Sequence, residues 1–178
     1  MLFRSTIHNA QGTRLNNSTV VSVSPIKDVK VHYQYSASEV AGTKSTQAYG
    51  ADATFGAVSA SVGRFDNGLD GANKNASTIV GGKLAIGATG TTLFGIYSED
   101  EALGVKTEGK TVGVTQKISG PLTVLASYGE KQGVDGYALG ATYAMSKRTF
   151  LHARYRNEDS TTAANDRKQV GVGIEHNF

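Results

Sequence analysis

Cysteine and tryptophan are absent from this chain, and proline occurs only twice in 178 residues. Without cysteine there is no disulfide framework and no thiolate metal site. Pro25 and Pro121 both stand at turn-like positions, so the segments around them keep their backbone N–H groups free to pair. Leucine is sparse, and no segment repeats apolar residues at the i, i+3, i+4, i+7 spacing of a helix face. No run approaches the ~18 apolar residues of a spanning helix. The first eight residues carry no apolar stretch of the kind a signal peptide needs. Charge is also thin, with 18 Lys and Arg against 15 Asp and Glu spread along the chain. No basic run tracks a phosphate backbone, which argues against nucleic acid as a partner.

What remains is rich in Gly, Ser, Thr, Ala and Val, the composition of an all-β chain. The last stretch sets the pattern. Val170, Val172, Ile174, His176 and Phe178 fall on one side of a period-two alternation, and Gly171, Gly173, Glu175 and Asn177 on the other. The same alternation predicts strands over 15–24, 28–37, 46–55, 57–65, 77–87, 91–99, 109–118, 121–130, 134–145, 148–158 and 167–178. That is about eleven, with boundaries uncertain by about two to four residues. Short connections (25–28, 56, 88–90, 120–121, 146–147) alternate with longer polar ones (39–45, 66–76, 99–108, 131–133, 158–166).

The strands at 28–37, 109–118, 121–128, 134–145 and 148–158 each show one apolar face. Val29, Val31, Tyr33 and Tyr35 oppose Lys30, His32, Gln34 and Ser36, and Leu151, Ala153 and Tyr155 oppose His152, Arg154 and Arg156. Tyrosines gather toward strand ends (Tyr33, Tyr35, Tyr97, Tyr128, Tyr137, Tyr143, Tyr155), where the aromatic girdle of a membrane barrel lies. Short turns at one end and longer polar loops at the other complete the pattern of an antiparallel up-and-down transmembrane β-barrel. A soluble up-and-down barrel or sandwich, acting as a binding or structural module at the surface, shares the strand spacing. Dependence on detergent separates the two.

Three motifs resemble those of the Gram-negative general porins. Arg14-Leu-Asn-Asn17, followed by Val20 and Ser24-Pro25, looks like the R-x-N-N-S-V-x-Y-x-S-P sixth-strand signature, with Ser22 where Tyr is usual. Tyr143-Ala-Met-Ser-Lys-Arg-Thr149 with Leu151 and Tyr155 resembles the family's C-terminal hairpin. Gly173-Ile-Glu-His-Asn-Phe178 resembles the terminus of the betaproteobacterial branch, with Glu175 in place of a basic residue. The resemblance covers roughly residues 12–178 and implies a single domain over 1–178. That domain equals the last 11 to 12 strands of a sixteen-stranded barrel, N-terminally shortened, with most of the constriction loop missing. Leu2–His8 alternates poorly as a further strand.

By resemblance, the expected function is passive diffusion of small hydrophilic solutes and ions through a water-filled pore in the Gram-negative outer membrane. Alternation assigns Lys30, His32, Lys83, Lys117, His152, Arg154 and Arg156 to the pore lining, against Asp52 and Glu175; Arg14 is added from the sixth-strand motif. The basic excess predicts an anion preference. Val172, Ile174, His176 and Phe178 resemble the signal read by the outer-membrane assembly machinery. The family forms a homotrimer through strands near both termini, of which this chain holds one set.

Enzyme chemistry has little support in the sequence. His8, His32, His152 and His176 are far apart and show no metal-binding spacing, and no Ser occupies a G-x-S-x-G turn. A barrel hydrolase of the outer membrane would need a His and Ser pair. The acidic run 66–73 lacks the spacing of a calcium loop, and Gly81-Gly82 precedes no helix. No cofactor is expected.

Overall fold

A computed structural model describes residues 18–37, 44–67, 74–160 and 166–177. They form one antiparallel sheet whose eleven strands pair in strict sequence order. The strands are β1 (Ser18–Ile26), β2 (Val29–Ser36), β3 (Thr46–Phe55), β4 (Val58–Asp66), β5 (Asn75–Ile86) and β6 (Thr91–Ala102). They continue as β7 (Val105–Ser119), β8 (Leu122–Lys131), β9 (Val134–Ala144), β10 (Thr149–Ser160) and β11 (Arg167–His176). Each predicted strand is present, and the all-β up-and-down architecture is as expected. Gly81 and Gly82 lie inside β5. Arg14, His8, Phe178 and most of the acidic run 66–73 fall outside the described residues.

Two connections differ from expectation. The predicted long loops at 99–108 and 131–133 are two-residue turns, Leu103–Gly104 and Gln132–Gly133. Both residues of each turn have positive φ (54° and 74°, 56° and 70°), as a tight hairpin turn matching strand twist requires. The polar run 99–108 looked like a loop because it is charged. Its charges instead pair along extended strands, with Lys106 Nζ 3.4 Å from Glu99 and Lys74 Nζ 2.8 Å from Glu101. Glu101 raises the Lys74 ammonium above its ordinary range, chiefly through that hydrogen bond.

The chain divides into two compact units, one of Met1–Gly82 with Ile96–Glu108, the other of Lys83–Gly95 with Gly109–Phe178. In the first, β2 and β3 register with Tyr33 opposite Tyr49 and His32 opposite Gly50. The apolar face carries Val31, Tyr33, Tyr49 and Val62, all well exposed. It ends where Arg64 donates to Thr78 and lies 3.6 Å from Asp66. The buried side chains of the unit include His32, Gln34, Ser36 and Ala48, all on the opposite face.

The second unit repeats this inversion. On β9, Tyr137 and Tyr143 flank Leu139 and Ala141 on one face, a span of roughly 20 Å at about 3.4 Å per residue. That approaches the height of the apolar band on a membrane barrel. Tyr137 sits opposite Tyr128 in register, and its ring centroid lies 5.9 Å from that of Tyr155. The other face is mostly small or polar: Thr142, Gly140 and Ala138 on β9 register with Thr123, Leu125 and Ser127 on β8. On β7, Gly113 leaves the room that the Phe94 ring fills, and a Cβ there would run into it.

Among the described residues, the only buried hydrophobic side chains are Ala48 and Ala76. No Leu, Ile, Val or Phe is buried, so no apolar core offsets the entropy of folding in water. Within each unit most exposed Val, Leu and Tyr side chains instead fall on one face, Val20 opposite Gln34 being an exception, and the sheet satisfies its backbone through the ladder. A lipid solvent demands that combination.

Candidate functional site

The polar face carries the charged residues singled out by alternation, and register fixes their neighbours. On β1, β2 and β3, Ser22 is opposite His32 and Lys30 is opposite Asp52. Ser22 Oγ lies 2.8 Å from His32 Nδ1, and His32 Nε2 lies 2.9 Å from Asp52 Oδ2. The imidazole is buried and the Asp52 side chain is 36% exposed. A neutral His32 that donates from Nε2 to the carboxylate must accept at Nδ1 from the serine hydroxyl.

A second site of the same kind lies on β9, β10 and β11. Thr142 Oγ1 is 3.1 Å from His152 Nδ1, and His152 Nε2 is 3.3 Å from Glu175 Oε2. The latter contact is close enough for charge attraction but lacks hydrogen-bond alignment, which leaves Nε2 unsatisfied. Arg154 and Arg156 follow His152 on the same face; Arg156 pairs with Glu158 two residues on. Across from them on β11 stand Gly171 and Gln169. Lys117 lies beside the turn at Gly90, whose carbonyl accepts from its backbone N–H at 3.0 Å. Lys83 is exposed and alternates with Val80 and Leu84 of the apolar face.

The sequence therefore named both imidazoles and both carboxylates, but not their pairing or the hydroxyls of Ser22 and Thr142. The phase of β1 and β9 would have placed both hydroxyls on the polar face. Only register puts each directly across from a histidine.

Hydroxyl, imidazole and carboxylate in line is the order of an acyl-transfer triad. Here the serine meets Nδ1 rather than Nε2. It also sits in an unbroken strand ladder (Val21 opposite Tyr33, Val23 opposite Val31) rather than on a sharp turn that aims backbone N–H groups at an oxyanion. No three metal-ligating side chains converge among the described residues. An open hollow of about 440 Å³ on β9, β10 and β11 is lined by Ala141, Tyr143, Leu151, Ala153 and Val172 of the apolar face together with His152 and Gly173. His176 also belongs to the apolar face, opposite Thr149, whose hydroxyl lies 2.9 Å from its Nδ1.

Comparison with known proteins agrees with this architecture. A family model of the Gram-negative porins matches residues 4–163. No curated protein matches the chain. Among solved structures, the outer membrane channel DcaP of Acinetobacter baumannii superposes with a TM-score of 0.69 at 14% identity, covering 90% of this chain and 62% of that one. A substituted Rhodopseudomonas blastica porin reaches 0.74 at 17% identity, covering 92% and 56%. OmpT, an outer membrane protein of Vibrio cholerae, reaches 0.63 at 15%, covering 89% and 63%. The chain thus spans between 56% and 63% of the length of these structures. With the match running through all but the last strand and the lipid-suited apolar face already in place, the chain belongs to the Gram-negative porin family and to the outer membrane.

Proposed function

We propose that the polar face lines a water-filled pore through which small hydrophilic solutes and ions diffuse passively, with a preference for anions. The observation that carries this reading is the inverted distribution of side chains. Large apolar residues such as Val172 (84% exposed) and Val112 (61%) face outward, while His32 and Gln34 are buried on the polar side. Lipid would cover the first face and water the second. Lys30, Lys83, Lys117, Arg154 and Arg156 outnumber Asp52, Glu175 and the Glu158 that pairs with Arg156 along that lining, a balance that raises the local anion concentration. Arg14 would add to the same charge. The partners this implies are the permeating solutes, outer-membrane lipid and the assembly machinery, which would read Val172, Ile174 and His176 of β11 together with Phe178.

The chain refolded in detergent and added to a planar bilayer should give discrete conductance steps, with a reversal potential in a salt gradient showing anion preference. A clear cation preference would remove the selectivity assignment. A chain that stays soluble and monomeric without detergent would remove the pore itself.

A further inference from the structure

Resting on the pore reading, we infer that His32 and His152 are selectivity-determining residues: each, when protonated, offsets the charge of one carboxylate on the pore-lining face, so that anion preference rises as pH falls. Two independent sites carry the same construction. In each, a carboxylate, Asp52 or Glu175, faces Nε2, and a hydroxyl, Ser22 or Thr142, faces Nδ1. The hydroxyl makes the device work without rearrangement. It donates to Nδ1 of the neutral ring, and by rotating its hydrogen it accepts from Nδ1–H of the protonated one. Each site therefore holds either one net negative charge or none, with the same heavy-atom geometry.

The charged groups around each ring are few. His32 faces Asp52 from β3 and has Lys30 two residues away on its own strand, while β1 offers only Ser22. His152 faces Glu175 from β11 and has Arg154 two residues away, while β9 offers only Thr142. With both rings neutral, Asp52 and Glu175 offset two of the five cations named for the lining, and Glu158 already pairs with a third, Arg156. With both protonated, neither does. Charges on a pore wall act within about 10 Å at 0.1 M salt, a distance comparable to a pore radius.

The test is the chloride-to-potassium permeability ratio, taken from reversal potentials across bilayers holding the refolded full chain, at pH 8 and pH 5. The wild type should show the ratio rising roughly twofold or more as pH falls. The double variant H32Q/H152Q, which cannot take the proton, should show a flat ratio. D52N/E175Q should reach at pH 8 the ratio that the wild type shows at pH 5, which tests the same charge without altering either histidine. H176Q, which removes an imidazole from the opposite face, should keep the wild-type response. Conductance with a pH-independent wild-type ratio, or an unchanged response in H32Q/H152Q, overturns this inference and leaves the pore standing. Absence of conductance overturns the pore and the inference with it.

Discussion

On β2, His32, Gln34 and Ser36 are buried along the polar face, whereas on β10 His152 is half-buried and Arg154 and Arg156 stay exposed. Both runs alternate with apolar residues that face the other way, Val31 and Tyr33 in one, Leu151 and Tyr155 in the other. The difference lies in side-chain length and partner geometry. The run on β2 sits beside Ala48 and Gly50, and its imidazole closes two hydrogen bonds of 2.8 and 2.9 Å. Around His152 the long guanidinium arms keep their charged ends hydrated, and the carboxylate contact opens to 3.3 Å. The same three functional groups thus make a closed, aligned site in one unit and a looser one in the other. A buried imidazole held at both nitrogens contributes to stability as well as to charge; a half-buried one without an aligned carboxylate contributes mainly charge.

The sharpest way to break this comparison is on the side the two regions share. Val31 and Leu151 are both exposed, 38% and 43%, on the apolar face directly beside the two histidines. Arginine at either position should destabilise the chain folded in lipid vesicles by ~2 kcal/mol or more, read from urea unfolding. Tolerance at one position and not the other would mean that the two apolar faces do not meet the same solvent.

A smaller effect separates the two sites themselves. His32→Ala removes a buried imidazole together with its hydrogen bonds to Ser22 and Asp52 and should cost ~1–3 kcal/mol in the same assay. His152→Ala should cost less than about 1 kcal/mol, because its carboxylate partner is already unaligned and solvated. Equal losses would erase the distinction between closed and open site.

The smallest change concerns the residue opposite His152. A Cβ at Gly173 meets nothing within 4 Å, so Gly173→Ala should stabilise β11 by ~0.5–1 kcal/mol through lower unfolded-state entropy. A loss of stability would show that the polar face around His152 is more tightly packed than that around His32.

Much of this was legible in the chain. The strands at 46–55 and 134–145 match β3 and β9 to within a residue, because a face that meets lipid and a face that meets water impose alternation on each strand separately. Polarity makes 99–108 read as a connection, whereas β6 and β7 run on to a two-residue turn at Leu103–Gly104 and carry the ion pairs Lys106–Glu99 and Lys74–Glu101. The site was half legible. His32, Asp52, His152 and Glu175 were each placed on the polar face, but as separate charges. Their order with Ser22 and Thr142 depends on cross-strand register, which turn length sets and single-strand periodicity does not contain.

The sequence by itself determined the period, the two faces and the strand count, since each follows from residues close together in the chain. The tertiary structure alone decided which groups meet. Ser22 and Asp52, thirty positions apart, touch the same imidazole only because two tight registers bring β1 and β3 to either side of β2. Hydrogen bonds act over about 3 Å, and that distance is measured across strands rather than along them.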